Sequence, residues 1–198
     1  MADNYVDNLS DRLSKLPGIG RKSAKRLAFH ILNMPEADVD ALVDAIVMAK
    51  DKIQRCKMCG NFSQEEICPI CSSPNRDHSK LMVVASVKDI DAFEESLGYD
   101  GLYFVLKNDE LSPIKGIGPK EIGADEFVER LKSEEVKEII LALATNIESE
   151  HTAKFLSMLA KEAGKKVSTL STGLPVGGVL EYFDPLTLRR SYEGRIEI

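Results

Sequence analysis

The sequence predicts an α+β chain of several modules, and three observations predict it. The first 32 residues read as helix, glycine hairpin, helix; four cysteines fall in two close pairs between 56 and 71; and from residue 80 buried strands alternate with amphipathic helices. With 198 residues, 43% hydrophobic and 29% charged, the chain can bury a core in one medium domain carrying smaller appendages. The boundaries expected are 1–55, 56–79, 80–174 and a short C-terminal segment, 175–198.

The N-terminal helices follow from spacing. Val6, Leu9, Leu13 and Leu16 recur at helical intervals, as do Ala24, Leu27, Ala28 and Ile31. Pro17 and Gly18 interrupt the pattern, so "LPGIGRKSAKR" (16–26) is a tight Gly-Ile-Gly hairpin opening onto a second helix. Val39, Leu42, Val43, Ile46, Val47 and Ile53 mark a third helix, expected to serve packing.

The charge pattern draws attention to the hairpin. The net charge is −6, yet residues 1–55 hold nine Lys/Arg against eight Asp/Glu, while residues 80–198 hold 15 against 21. Residues 16–30 contain Arg21, Lys22, Lys25 and Arg26 and no acid. A helix start offers unpaired backbone N–H groups and a favourable dipole to an anion, so Gly18, Gly20 and these four cations suit a nucleic-acid backbone. The alternative is a solvated helix face. Two nucleotide motifs fail here. A P-loop needs Gly followed directly by Lys-Ser/Thr, but Arg21 intervenes; a dinucleotide fingerprint needs a glycine at Ser23 and a preceding strand.

In "CKMCGNFSQEEICPIC", Cys56, Cys59, Cys68 and Cys71 form C-x2-C-x8-C-x2-C, two hooks able to close a tetrahedral zinc site. Four protein ligands leave no open position, which makes the metal structural. Disulfides are disfavoured by the expected cytoplasmic location. That location rests on a polar N-terminus, "MADNYVDN", without a signal-peptide core, and on an apolar run at 139–144 far shorter than the roughly 20 residues needed to cross a bilayer.

The third module alternates. "LMVVAS" and "GLYFVL" read as buried strands flanking the helix "VKDIDAFEESL"; "VKEIILALA" is a third strand, followed by a helix through "SEHTAKFLSMLAKEAG" and the strand "KKVSTLS". A mainly parallel sheet covered by helices is expected, with ligands at the strands' carboxyl ends. Glu148 and Glu150 stand just beyond the third strand. They are either an acidic site or a solvated pair.

With "LSPIKGIGP" (111–119), "GLPVGG" (173–178), "LEY" (180–182) and "EGR" (193–195), the order of parts resembles the bacterial RecR recombination mediators over almost the whole chain. The resemblance implies a helix-hairpin-helix DNA-binding domain (1–55), a zinc-finger module (56–79), a Toprim domain (80–174) and a C-terminal oligomerisation segment (175–198). It further implies a non-enzymatic, ring-shaped homotetramer. Such a clamp acts on single-stranded, duplex or gapped DNA with RecO and often RecF, helping load RecA onto DNA coated by single-strand-binding protein. Lys22 and Arg26 fall at the family's DNA-contacting positions, the four cysteines at its zinc ligands, and Glu148 and Glu150 at its acidic pair, a candidate partner-binding patch.

One departure matters. Where the family's first Toprim strand usually ends Val-Val-Glu-Ser, this chain has Ala85. The alternative function, a magnesium-dependent Toprim enzyme, needs a convergent carboxylate set and is weakened by that loss. No catalytic residue is assigned, and without a P-loop no ATP hydrolysis is expected.

Overall fold

The computed structural model describes residues 2–96, 98–171, 173–175 and 177–195, with the backbone alone for residues 2–4. Leu97 of the predicted helix 87–97, Val176 of "GLPVGG" and the last three residues of the 175–198 segment lie outside the described residues. Two compact units, 1–53 and 54–198, make up the chain.

The first unit is helical: α1 (Ala2–Leu13), α2 (Arg21–Leu32) and α3 (Glu36–Lys52). Ala24 and Ala28 are fully buried on α2, so that helix packs through its smallest side chains. The expectation for α3 needs correction. None of its residues is buried, and Leu42, Val43, Ile46 and Val47 are 43%, 52%, 62% and 59% exposed. Periodicity reported a helix correctly; among the described residues of its own unit, nothing buries the face it defines.

The second unit starts with a two-stranded antiparallel ribbon, β1 (Gln54–Arg55) and β2 (Phe62–Ser63), and a short helix α4 (Pro69–Ser72). A sheet follows. Its strands are β3 (Asp77–Val84), β4 (Gly101–Val105), β5 (Glu138–Ala142) and β6 (Lys166–Thr169), all parallel, in the order β4-β3-β5-β6. The intervening helices are α5 (Val87–Glu95), α6 (Ala124–Leu131) and α7 (Ile147–Glu162), and α8 (Pro185–Glu193) comes last.

Alternation along β3 explains why both faces are covered. Leu81 and Val83 turn to one side, joining Phe104, Phe127, Ile139 and Leu156. Met82 and Val84 turn to the other, against Ile90 and Tyr103. Strands buried on both faces read as the near-continuous apolar runs seen in the sequence. Local signals fix the helix starts: Ser86 and Asp89 form a capping box on α5, and the Asn146 side chain accepts from the Ser149 amide at 2.7 Å to cap α7. Arg76 closes the lower end of the sheet. Its guanidinium pairs with the Glu94 carboxylate and donates to the Tyr99 carbonyl at 3.2 Å, while the Tyr103 hydroxyl donates to Glu94 at 2.7 Å.

Candidate functional site

In the first unit the hairpin is set by backbone alone. Gly18 takes a left-handed φ of +78°, and the Ile19 amide donates to the Leu16 carbonyl at 3.1 Å, leaving Ile19 half-buried. α2 begins one residue after Gly20. Its first turn has neither an acidic residue nor a side-chain cap, so the amides there have no partner from those sources.

The neighbouring helix α3 carries the usual order of charge. That helix begins with Glu36 and Asp38 and ends with Lys50 and Lys52, in line with its dipole. α2 inverts the arrangement, placing Arg21 and Lys22 at the positive end. Each charge so placed works against folding by about 0.3–1 kcal/mol, and a bound anion reverses the sign. Arg21, Lys22, Lys25 and Arg26 are all exposed, as are Gly18 and Gly20, so the structure gathers the six predicted residues at one helix start. Lys22 and Arg26, four apart, share a face.

The four cysteines converge in the second unit. Their sulfurs all lie within 4.8 Å of one another, and each side chain is at least 95% buried. Tetrahedral zinc with Zn–S bonds of about 2.3 Å requires sulfurs roughly 3.8 Å apart, so the set fits the ion. The loops supply the supporting contacts. The Asn61 amide points at the Cys59 sulfur (3.4 Å), which stabilises its thiolate, and the Cys68 amide points at the Cys56 sulfur (3.3 Å). A hydrogen bond from Cys71 lowers Cys59 to about 6, whereas burial pushes Cys68 up to about 11. The same contact with Cys59 drives Cys71 upward. Four buried thiolates cannot coexist without a cation, and a zinc dication supplies that compensation. This is a zinc-binding module.

The module is joined to the sheet. The Val105 amide donates to the Cys59 carbonyl at 2.7 Å, and Gly60, at φ +79°, lies so near that a Cβ would meet the Val105 carbonyl at 3.3 Å. Ile70 packs against both faces' apolar clusters.

Glu148 and Glu150 are placed on the first turn of α7. Two apart on a helix, they do not face each other: Glu148 is exposed, and Glu150 is half-buried and paired with Arg190 of α8. Sequence reading missed Arg190, as it also missed that Glu110 accepts from the Ser149 hydroxyl at 3.0 Å between the two glutamates. Neither contact leaves a local signal, because the partners are about 40 residues apart. Ala85 follows β3 directly and brings no carboxylate to this end of the sheet. Beside the acidic pair, α7, β6 and α8 enclose a cleft of about 1270 Å³ whose walls include Leu143, Met158, Val167 and Leu170.

A hairpin between helices, a four-cysteine zinc module and a parallel Toprim-type sheet, in this order, define a multi-module, zinc-stapled class of protein. Family models agree segment by segment: "RecR, helix-hairpin-helix" at 6–50, the RecR four-cysteine zinc finger domain at 53–73, "Toprim domain" at 79–171 and "RecR, C-terminal" at 173–196. Recombination protein RecR of Lactobacillus helveticus is 47% identical over 191 residues, 96% of each chain. That of Thermobifida fusca is 46% identical over 195 residues, 98% of each chain, and that of Bifidobacterium adolescentis 44% identical over 193 residues, covering 98% of this chain and 96% of its own. The chain belongs to the RecR family of recombination proteins. No helix among the described residues is long and apolar enough to cross a membrane.

Proposed function

We propose that this chain is a non-enzymatic DNA clamp and recombination mediator, assembled as a homotetrameric ring in the cytoplasm. It works with RecO, and with RecF at some substrates, to help load RecA onto gapped DNA coated by single-strand-binding protein. The observation that carries the reading is the mouth of α2: an uncapped helix start carrying four exposed cations in an otherwise acidic chain. Phosphate contacts made there are independent of sequence, which is what a clamp that follows gaps requires. One such face binds weakly. A ring that presents several of them gains through effective concentration.

Support for the non-enzymatic half comes from the sheet's carboxyl end. Ala85 replaces a carboxylate, Glu150 is already engaged by Arg190, and Glu148 is exposed. Magnesium-dependent phosphoryl chemistry needs carboxylates that converge. The acidic pair serves instead as a contact for a basic partner, RecO being the one proposed. The test is DNA binding to gapped, single-stranded and duplex substrates with and without magnesium, followed by analysis of the DNA itself. Intact DNA bound equally well without magnesium is expected. Cleavage that disappears in Glu148→Ala would replace this reading with the Toprim enzyme.

A further inference from the structure

The motif "LSPIKGIGP" takes no part in the proposed function, and it repeats part of the hairpin. Gly-Ile-Gly-x-Lys occurs at 18–22 and again at 116–120. The backbones correspond. Gly116 takes φ +71° where Gly18 takes +78°, and Ile117, like Ile19, is half-buried. The second glycine of each turn then accepts a helix-type bond, Gly118 from the Ile122 amide at 3.2 Å and Gly20 from the Ala24 amide at 2.9 Å.

The two turns differ in what they offer. Gly118 donates its amide to the Glu121 carboxylate at 2.9 Å, so an anionic oxygen of the chain itself already sits on the second turn, and Pro119 removes another donor. What remains available is side chains. Lys115 and Lys120 are exposed, and Ile114 between Pro113 and Lys115 is 100% exposed.

Single exposed apolar residues are ordinary on protein surfaces. This one tops a rigid tip. Ser112 and Ile117 exchange both backbone hydrogen bonds at 2.9 Å, the Lys115 amide donates to Ser112 at 2.9 Å and that of Gly116 to Pro113 at 3.1 Å. Ser112 is buried and Ile117 packs on the core, so the root is fixed while the tip projects. Nearby carboxylates are turned to other work: Glu121 to the Gly118 amide, Glu110 to Ser149.

We propose that the 112–120 hairpin is a second DNA contact, in which Ile114 stacks as an apolar wedge on the exposed base pair at a duplex–single-strand junction while Lys115 and Lys120 hold the flanking phosphates. A convex tip one side chain wide suits the space between bases better than a flat protein surface. Its preformed geometry lowers the ordering cost of insertion. The inference rests on the DNA-clamp reading, and it locates where that clamp senses a gap's edge.

The test is a gapped duplex carrying 2-aminopurine at the junction, titrated with full-length zinc-loaded protein. Wild type is expected to raise the fluorescence by unstacking the base. Ile114→Ala should abolish that rise and weaken junction binding several-fold as the apolar wedge is lost. Lys115→Ala/Lys120→Ala should lower the log–log salt slope by up to about 1.8, two phosphates at about 0.9 each. Both variants change exposed side chains, and zinc content and assembly verify that they are folded. If both keep wild-type affinity, slope and fluorescence while Lys22→Ala/Arg26→Ala loses binding, the second contact is refuted and the clamp stands. It is refuted equally if the variants lose only a protein partner. Absence of DNA binding by wild type overturns both readings.

Discussion

Arg190 on α8 reaches back to Glu150 on the first turn of α7, so half of the acidic pair is neutralised by the chain's own guanidinium. Any basic partner that uses Glu150 must displace it. Arg190→Ala is therefore expected to tighten binding of the proposed partner RecO, and Glu150→Gln to weaken it. The pair is partly solvated, with side-chain exposures of 31% and 40%, so the gain should not exceed about fivefold, the equivalent of about 1 kcal/mol. Calorimetric titration of both variants measures it; equal affinities for wild type and variants would remove Glu150 from the contact.

The zinc module should hold one metal ion per chain. Cys68→Ser should lose it and lower thermal stability, since the 16 residues spanning the two hooks have no apolar core beyond the thiolates, Met58 and Ile70. Acid should release the metal as protons compete for the four sulfurs. Elemental analysis across a pH series is the check, and purified protein without zinc would contradict the assignment.

Replacing Lys22 and Arg26 with Ala should weaken binding to all DNA sequences alike and flatten the salt dependence, by up to about 0.9 in the log–log slope for each phosphate no longer neutralised. Folding should survive and stability rise by about 0.3–1 kcal/mol, because both side chains are exposed and Lys22 opposes the helix dipole. Affinity measured against salt on a correctly assembled variant decides the matter. An unchanged slope would reduce the basic mouth to a solvated face.

Arg76→Ala should cost about 2–3 kcal/mol, somewhat under the roughly 3–5 of a fully buried ion pair. It leaves Glu94 with the Tyr103 hydroxyl as its donor but no cation, and takes the guanidinium from two backbone carbonyls. The pH dependence follows from Glu94. Burial pushes its carboxyl up, but hydrogen bonds from Arg76 and Tyr103 outweigh that and hold it below the usual carboxylate range. The folded form then binds the proton less readily than the unfolded one, so this stability is present above the ordinary glutamate range and lost as pH falls through the lowered value. Urea unfolding at neutral and acid pH should show the wild type's advantage over Arg76→Ala shrinking in acid.

What the sequence disclosed and what it withheld divide along physical lines. Cysteine spacing revealed the metal site, because ligand geometry is imposed by short loops. The first three strands of the parallel sheet were readable because burial on both faces leaves uninterrupted runs such as Leu81–Val84, and β6, which has no buried residue, was readable from its β-branched Val167 and Thr169. Lys22 and Arg26 could be located because hairpin and helix are local. Arg190, Arg76 and Glu110 were invisible: each meets its partner 18 to 40 residues away, through the tertiary fold alone. The packing expected of α3 is not met within its own unit, for a related reason. A periodic apolar face shows that something covers it, and nothing in Leu42, Val43 or Ile46 says what.

The bond from the Val105 amide to the Cys59 carbonyl bears on folding in the cell. β4 ends the sheet, and its free side would otherwise present an open strand edge, a template for pairing with other chains. The zinc knuckle meets that edge at its last residue, Val105. A newly made chain that has not yet acquired its metal is expected to lose this cover and leave the carboxyl end of β4 open to pairing.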